Sequence, residues 1–570
     1  MQSQKISDLK TMEFKSVKIE NFRNFDSVEV SLKNRNVFFG LNDAGKTNFL
    51  YAMRFLLDFF VRKDGFKLTD FHNSNDSTDI KITLEIDISK EDDDTKKIIA
   101  KAGKSLFSDA KSLFVQAKSI KDDGLYSVEL YWGGSLNHLD RIPTVGQKSE
   151  LDKIFDINYI DTQTDLDILF KRAVSMKTVL VRKDDDDRAL REKLTELNAE
   201  IERLPSVHNF ENSLTTEIKK YDENINIKIS SKDIALDPYK TIYPYLQRGG
   251  DTFYYVSGDG LRKITSYSLH RLVALKNKVN KITIFLVEEP ENHLHKTTLL
   301  KLSQVLFKEN EFPYLFLTTH SSELLAEMDN INLIRIASAN KTYSHFYKVP
   351  DDYQRVKKIL NSNLAKALFY NRVLLVEGAS EVMLFDAILT YRCNYKTKEL
   401  EILSVNGIAF KEYLNVFIPL NIQTFIKTDN DITDDRASGL NRIKEYGKII
   451  AKLNSNEEKH TQFNAVVVNI PTELTKPALY AANLDLIALC NSENIYLSQS
   501  DLEDDLAEAL GDILATRLGK YAITQAVNYL KSSKLYNMVE LIGKLTNDDF
   551  DVIFNDSNFA VLGGFINGIL

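Results

Sequence analysis

Val37-Phe-Phe-Gly40-Leu-Asn42-Asp-Ala-Gly45-Lys46-Thr47 carries a complete G-x-x-x-x-G-K-T loop. Short apolar residues precede it, and a helix-like run, Asn48 to Phe60, follows. Glycines at such a turn let backbone N–H groups close around phosphate oxygens, and the following helix N-terminus adds its own N–H groups and dipole. Gly40, Asn42 and Gly45 then form the cradle, Lys46 reaches the β- and γ-phosphates, and the Thr47 hydroxyl ligates Mg²⁺. A Gly-rich turn that matches by accident is the competing reading, and the flanking strand and helix count against it. The loop therefore predicts an α/β fold with ATP bound at the end of a strand.

The later parts of such a site follow in order. Lys281-Ile-Thr-Ile-Phe-Leu-Val-Glu288-Glu289-Pro290-Glu291-Asn292-His293 is an apolar strand ending in acids. Glu288 is expected to hold the Mg²⁺ shell, and Glu289 to orient and polarise the attacking water. Tyr314-Leu-Phe-Leu-Thr-Thr-His320-Ser321 is another apolar strand, ending in a histidine. Ser257-Gly258-Asp259-Gly260-Leu261-Arg262 precedes a helix-like run and resembles the signature loop that contacts a γ-phosphate held by a partner subunit. Alone, a strand-end histidine is more often structural, and Ser257 to Gly260 is more often a turn. Their order makes the set specific.

A second acidic group lies further along. Arg372-Val-Leu-Leu-Val-Glu377-Gly378-Ala-Ser-Glu381 and Phe425-Ile-Lys-Thr-Asp429-Asn-Asp431 are apolar strands running into carboxylates, and they look like the Toprim pattern. Hard divalent cations take oxygen ligands, so such a cluster suits Mg²⁺ and phosphodiester chemistry. Glu377 is a general base or a metal ligand. Asp429 and Asp431 share one side if strand geometry persists, with Asn430 turned away. Glu381 shares the face of Glu377 if a helix starts there. Asp501 and Glu503 follow a later strand and are candidates for a second ion, although an acidic helix N-terminus explains them equally well. Lys534 alone reads as an exposed helix lysine.

A chain with an ATP-binding-cassette ATPase followed by a Toprim domain resembles the OLD-family nucleases, most closely the nuclease subunit type of the Gabija anti-phage system. Val17-Lys-Ile-Glu-Asn21-Phe22-Arg23-Asn24-Phe25 looks like the opening strand and turn of that ATPase class. The resemblance covers nearly the whole chain and is weakest from about Glu91 to Tyr245. It implies an ABC-type ATPase domain over 1–345, with a helical insertion at about 91–245 used for dimerisation. A Toprim nuclease domain with a Rossmann-like parallel sheet and a helical C-terminal region follows over 346–570. It implies Mg²⁺ at the acidic site, with Mn²⁺ or Ca²⁺ as alternative occupants, and Lys534 neutralising charge on the reacting phosphate. The implied partners are double-stranded DNA, further copies of the chain as a dimer or tetramer, and a helicase-like protein. One departure stands out: no clear glutamine follows the first helix at the usual position, and Asp70-Phe71-His72 sits near there.

Composition narrows the classes. A chain of 570 residues suggests roughly two to four domains. No apolar run reaches the length of a membrane span, and Met1 to Lys10 is polar, so a cytoplasmic protein without membrane association is expected. Only Cys393 and Cys490 occur, which excludes a disulfide framework and a zinc knuckle. The formal net charge of -8 means that DNA binding relies on a local basic patch or metal bridges. Ile80, Ile82, Leu84, Ile86 and Ile88 alternate as a strand. Leu190, Leu194, Leu197, Ile201 and Leu204 form a helical stripe, read as a dimerisation arm or as a helix packed on its own domain. The run Asp184 to Asp187 reads as solvated. An ATP-regulated, metal-dependent DNA endonuclease is the first reading. The alternative is a non-nucleolytic, DNA-clamping ATPase acting in repair, which has no need of the acidic set.

Overall fold

The computed structural model describes residues 12–41, 44–107, 109–145, 148–161, 281–307, 312–338, 340–407, 409–434 and 436–568, with scattered positions between 188 and 270. Two sheets build the N-terminal lobe. The first contains β1 (Glu13–Phe22), β2 (Phe25–Ser31), β4 (Lys81–Asp87), β5 (Ser112–Asp122), β6 (Leu125–Ser135) and β7 (His138–Arg141), antiparallel in the order β2-β1-β4-β5-β6-β7. The second is mainly parallel. It holds β3 (Arg35–Phe39), β8 (Phe155–Ile160), β9 (Ile282–Glu288), β10 (Leu315–Thr318), β11 (Ile331–Ser338) and β12 (Lys341–Tyr347), in the order β8-β9-β10-β3-β11-β12.

The period of two explains both sheets. Ile82, Leu84 and Ile86 of β4 are fully buried and face the core between the sheets, while Lys81, Glu85 and Asp87 are not buried. In the parallel sheet both faces are covered, so β3 reads as an unbroken buried run. Phe38 enters the core under the first sheet, and Val37 and Phe39 enter the core on the other side.

Residues 112–160, within the stretch expected to be an insertion from about 91, supply β5 to β8. These strands extend the antiparallel sheet and pair with β9. Propensity alone could not reveal this, because β8 finds its partner only across the chain. Most of the remaining stretch, including Asp184 to Asp187, Leu190, Leu194, Leu197 and Ile201, lies outside the described residues, and Leu204 is exposed.

The C-terminal lobe is a four-stranded parallel sheet: β13 (Arg372–Val376), β14 (Leu400–Ser404), β15 (Gln423–Thr428) and β16 (Ile495–Leu497), ordered β14-β13-β15-β16. Four helices bear on its function: α2 (Lys357–Ala367), α3 (Ala379–Cys393), α4 (Ser438–Leu453) and α5 (Leu502–Leu510). The tail is helical, as expected, and includes α6 (Lys534–Lys544). Among the described residues no helix is long and apolar enough to cross a membrane.

The lobes share one core. Val37, Phe39, Phe285 and Leu317 of the first lobe join, through Leu360 and Leu364 of α2, with Val373, Leu375 and Ile426 of the second. Leu374, Val376 and Phe425 face the opposite way, onto the C-terminal helices. Arg335 of β11 crosses the junction. Its guanidinium donates to the carbonyls of Leu420 at 3.2 Å and Asn421 at 2.7 Å, and to the Asn371 side chain.

A buried ion pair fastens the tail to the sheet. Lys427 Nζ donates to Asp505 Oδ2 and to the Asn558 carbonyl, each at 2.8 Å, and both side chains are almost wholly buried. Removing one member strands the other charge, which costs about 3–5 kcal/mol. Lys427→Ala is therefore expected to lower the unfolding temperature of the C-terminal lobe sharply. Lys427→Ala with Asp505→Ala should recover part of the loss, and differential scanning calorimetry of the single and double variants checks both.

Candidate functional site

The first site forms where β3 meets the helix α1 (Lys46–Leu57). Gly40 and Gly45 have φ of 144° and 112°, and a Cβ on either would strike the Ile336 carbonyl or the Asn24 side chain. Only glycine serves at both positions. Lys46 Nζ donates to the carbonyls of Gly40 at 3.1 Å and Leu41 at 2.6 Å. The Thr47 hydroxyl donates to Glu288 Oε1 at 2.5 Å, so the residues expected to share one cation are in contact across 241 positions of sequence. Glu288 also accepts from the hydroxyl of Tyr159, whose ring lies under Arg54 at 3.9 Å. Asn42, Ser257 and Gly258 lie outside the described residues.

Glu289 takes φ of 40°, just past the end of β9. Its backbone N–H donates to the Thr318 carbonyl at 3.0 Å, while Asn292 donates to its carboxylate at 2.8 Å. His320 Nε2 lies 3.3 Å from Glu289 Oε1. Burial, followed by the nearby Lys46 ammonium, lowers the pKa of His320, so its imidazole is neutral near pH 7. Glu291 is the more buried acid. It accepts from Thr319 Oγ1 at 2.8 Å and from the His320 N–H at 2.6 Å, which aligns the strand end carrying the histidine.

Asp70-Phe71-His72 braces this loop. Arg23 Nε donates to Asp70 Oδ1 at 2.9 Å, its N–H donates to the Asp70 carbonyl at 2.7 Å, and its Nη1 donates to Asn48 at 3.0 Å. His72 Nδ1 meets the Arg23 carbonyl at 2.9 Å. Asn24, beside Arg23, donates to the Ala44 carbonyl at 2.9 Å and accepts from Asn48 at 2.8 Å. The opening Asn21-to-Phe25 motif therefore holds the phosphate loop from behind, and the segment near the absent glutamine locks that motif.

The second site gathers at the C-terminal edge of the parallel sheet, where open α/β sheets bind ligands. Glu377 follows β13, Asp429 and Asp431 follow β15, Glu381 lies in the first turn of α3, and Asp501 and Glu503 begin α5. A helix does start directly after Glu377, as the Glu381 spacing requires. Asn430, past the end of β15, is buried and donates to the carbonyls of Lys476 at 2.8 Å and Gln499 at 3.1 Å.

The charges press on one another. Burial first, then Glu377 and Glu381, lift the Asp429 carboxyl to about 8. Burial and Glu377 raise Glu381, and burial raises Glu503, with Lys534 pulling both back. Lys534 Nζ lies 3.6 Å from Glu503 Oε2. Asp501 serves as N-cap of α5, accepting from the Asp504 N–H at 3.1 Å, and pairs with Lys531 at 2.8 Å. Burial raises Asp501, but Lys531, the Asp504 N–H and Lys476 together outweigh it and leave the carboxyl below its usual value.

A partly buried oxygen-rich group, in which burial first and neighbouring carboxylates second raise Asp429, Glu381 and Glu503, fits hard divalent cations. Among the described residues no three acidic, histidine or thiol groups are disposed to hold an ion as they stand. The Arg442 guanidinium stands between Glu377 and Asp431, 2.8 Å and 3.1 Å away. Arg442, Lys476, Lys531 and Tyr159 were not singled out from sequence. Arg442 and Lys476 lie in stretches without a motif, and Tyr159 gains meaning only when β8 pairs with β9.

Two family models match parts of the chain. Residues 12–171 match the family described as "AAA ATPase domain". Residues 368–431 match "Overcoming lysogenization defect protein-like, TOPRIM domain". The chain is 36% identical over 583 residues to endonuclease GajA of Bacillus cereus (strain VD045), covering 97% of this chain and 98% of that protein. It is 22% identical over 424 residues to the Old nuclease of Escherichia phage P2, covering 66% of this chain and 70% of that one. A solved SMC head bound to the C-terminal winged-helix domain of ScpA aligns at a TM-score of 0.35 and 13% identity, covering 58% of this chain and 98% of that one.

The first site yields a direct expectation. Lys46→Ala should abolish tight ATP binding, measured by isothermal titration. Glu289→Gln should bind ATP normally yet turn over at least about a hundredfold more slowly, since it removes the group that polarises water. Wild-type phosphate release from Glu289→Gln overturns that role.

Proposed function

The chain belongs to the OLD-like Toprim nuclease family that includes endonuclease GajA, and from that premise we propose how its two sites make an ATP-regulated, metal-dependent DNA endonuclease of anti-phage defence. The observation that carries the reading is the convergence of Glu377, Glu381, Asp429, Asp501 and Glu503, with Lys534, on one sheet edge. These residues come from four separate segments. A clamp acting only by closing on DNA gains nothing from a cluster of half-buried carboxylates, whereas phosphodiester hydrolysis uses them.

Glu377, Glu381, Asp429, Asp431, Asp501 and Glu503 are the groups to hold divalent cations, with Mg²⁺ the first choice and Mn²⁺ or Ca²⁺ alternatives. Bound there, such cations supply activated water and stabilise the departing oxygen. The chain's own residues do the rest. Lys534 sits beside Glu503 and offsets negative charge developing on the phosphorus oxygens. Lys476, 3.8 Å from Asp431 and 3.9 Å from Asp501, and Lys531 add positive charge at the same edge. They supply the local attraction for DNA phosphate that a net charge of -8 does not.

In the other lobe, Gly40, Asn42, Gly45, Lys46, Thr47 and Glu288 hold ATP with its cation, Glu289 orients water, and His320 senses the γ-phosphate. Ser257 and Gly258 reach the nucleotide of a neighbouring subunit, so a dimer or tetramer is the working form, and the segment within about 91–245 is its arm. Double-stranded DNA is the substrate, and a helicase-like protein the accessory partner.

Two measurements test these roles. Glu377→Ala and Asp429→Ala should lose plasmid nicking by orders of magnitude while retaining ATP hydrolysis, because the two sites stand on different sheets. Wild-type cutting by both variants would replace the nuclease reading with the clamp. Multi-angle light scattering with and without ATP should show at least a dimer, and a monomer under every condition refutes the subunit-crossing role of Ser257 and Gly258.

A further inference from the structure

Arg442 lies on the first turns of α4 and reaches back into the acidic edge. Its Nη2 nitrogen stands 2.8 Å from Glu377 Oε1, 2.8 Å from Thr428 Oγ1, 2.9 Å from the Asp429 carbonyl oxygen and 3.1 Å from Asp431 Oδ2. A guanidinium Nη carries two hydrogens and satisfies two acceptors well. Four oxygens converging on one nitrogen exceed what it can serve. Two carboxylates, a hydroxyl and a carbonyl are instead the donor set of a hard divalent cation.

The delivery of Arg442 is built into the backbone. The Gly439 N–H donates to the Asp431 carbonyl at 2.9 Å. A Cβ at Gly439 would lie 2.7 Å from the Asp431 nitrogen and 2.9 Å from the Asp429 carbonyl oxygen. Only glycine lets α4 sit this close to the acidic loop, and one turn later Arg442 points into the nest. The hold is local: Arg442 Nε is buried with no hydrogen-bond partner among the described residues. The side chain is 29% exposed, so a path outward exists.

We infer that Arg442 is an internal counter-ion that occupies the cation nest formed by Glu377, Thr428, Asp429 and Asp431, and that a divalent cation binds there only by displacing it. This rests on the nuclease reading above. The arrangement holds the Glu377 and Asp431 side chains in place without a cation, and it sets a threshold of free cation below which the edge stays blocked. Arg442 is a positioning residue here, and the observable is competition.

The test uses the full chain without nucleotide, titrated with Mn²⁺ and followed by electron paramagnetic resonance of the free ion. Arg442→Gln removes the competing charge and is expected to bind Mn²⁺ about tenfold more tightly than wild type, the scale of a charge-assisted hydrogen bond lost from the competitor. Arg442→Lys, with a single ammonium, should fall between the two. Mn²⁺ should also raise the unfolding temperature of Arg442→Gln more than that of wild type. Equal or weaker Mn²⁺ binding by a folded Arg442→Gln overturns the proposal. If Arg442→Gln does not fold, wild-type affinity in Arg442→Lys overturns it equally. Glu377→Ala separates the two levels. Loss of Mn²⁺ binding there alongside an unchanged Arg442→Gln sinks only the counter-ion. Unchanged binding in Glu377→Ala sinks the acidic-edge site itself, and with it the nuclease reading.

Discussion

One apolar core runs from the phosphate-loop sheet to the second sheet, and the relation between the two sites depends on it. Val37 and Phe39, which flank the buried Phe38 just before the loop, share that core with Val373 and Leu375 of the strand that precedes Glu377. Close-packed interiors have low compressibility and transmit displacement. The phosphate loop and the base of the acidic edge are therefore joined by packed side chains rather than by a linker. Arg335 makes the junction directional, since its planar guanidinium has its carbonyl and side-chain partners on the second lobe.

The two sites solve opposite electrostatic problems. In the proposed reading the nucleotide site neutralises a polyanion with Lys46, while Thr47 and Glu288, in contact with each other, hold its cation. The acidic edge concentrates anions under partial burial, and Asp429 shows the consequence in a carboxyl lifted to about 8. Its surroundings hold the repulsion in check with cations from later segments: Arg442, Lys476, Lys531 and Lys534. The buried Lys427–Asp505 pair belongs to this economy as well, because it ties α5, which carries Glu503, to the strand that ends beside Asp429.

Much of this was legible before any coordinates. The phosphate loop, the acids after the apolar strand, the strand-end His320, Glu377 and the Asp429-x-Asp431 pair all sit at strand ends, where local pattern and chemistry coincide. Glu381 needed only a helix start, and the helix begins at Ala379. What escaped was non-local. The strands within residues 112–160 join sheets whose other members lie far away in sequence, so their run between the motifs looked like an insertion. Asp70 and His72 acquired a role only through Arg23.

The sequence by itself determined the chemistry available: an all-oxygen acidic set, a complete phosphate loop, and too few cysteines for a disulfide framework or a zinc knuckle. Spacing along a strand or a helix turn is a local property, and local geometry is nearly fixed by period. The tertiary structure decided which charges face which. Arg442 in the cation nest, Tyr159 on Glu288 and Lys427 on Asp505 are contacts across crossovers. No local pattern marks them, because each depends on where the sheets place residues that lie between 65 and 129 positions apart for Arg442 with Glu377, Lys427 with Asp505, and Tyr159 with Glu288.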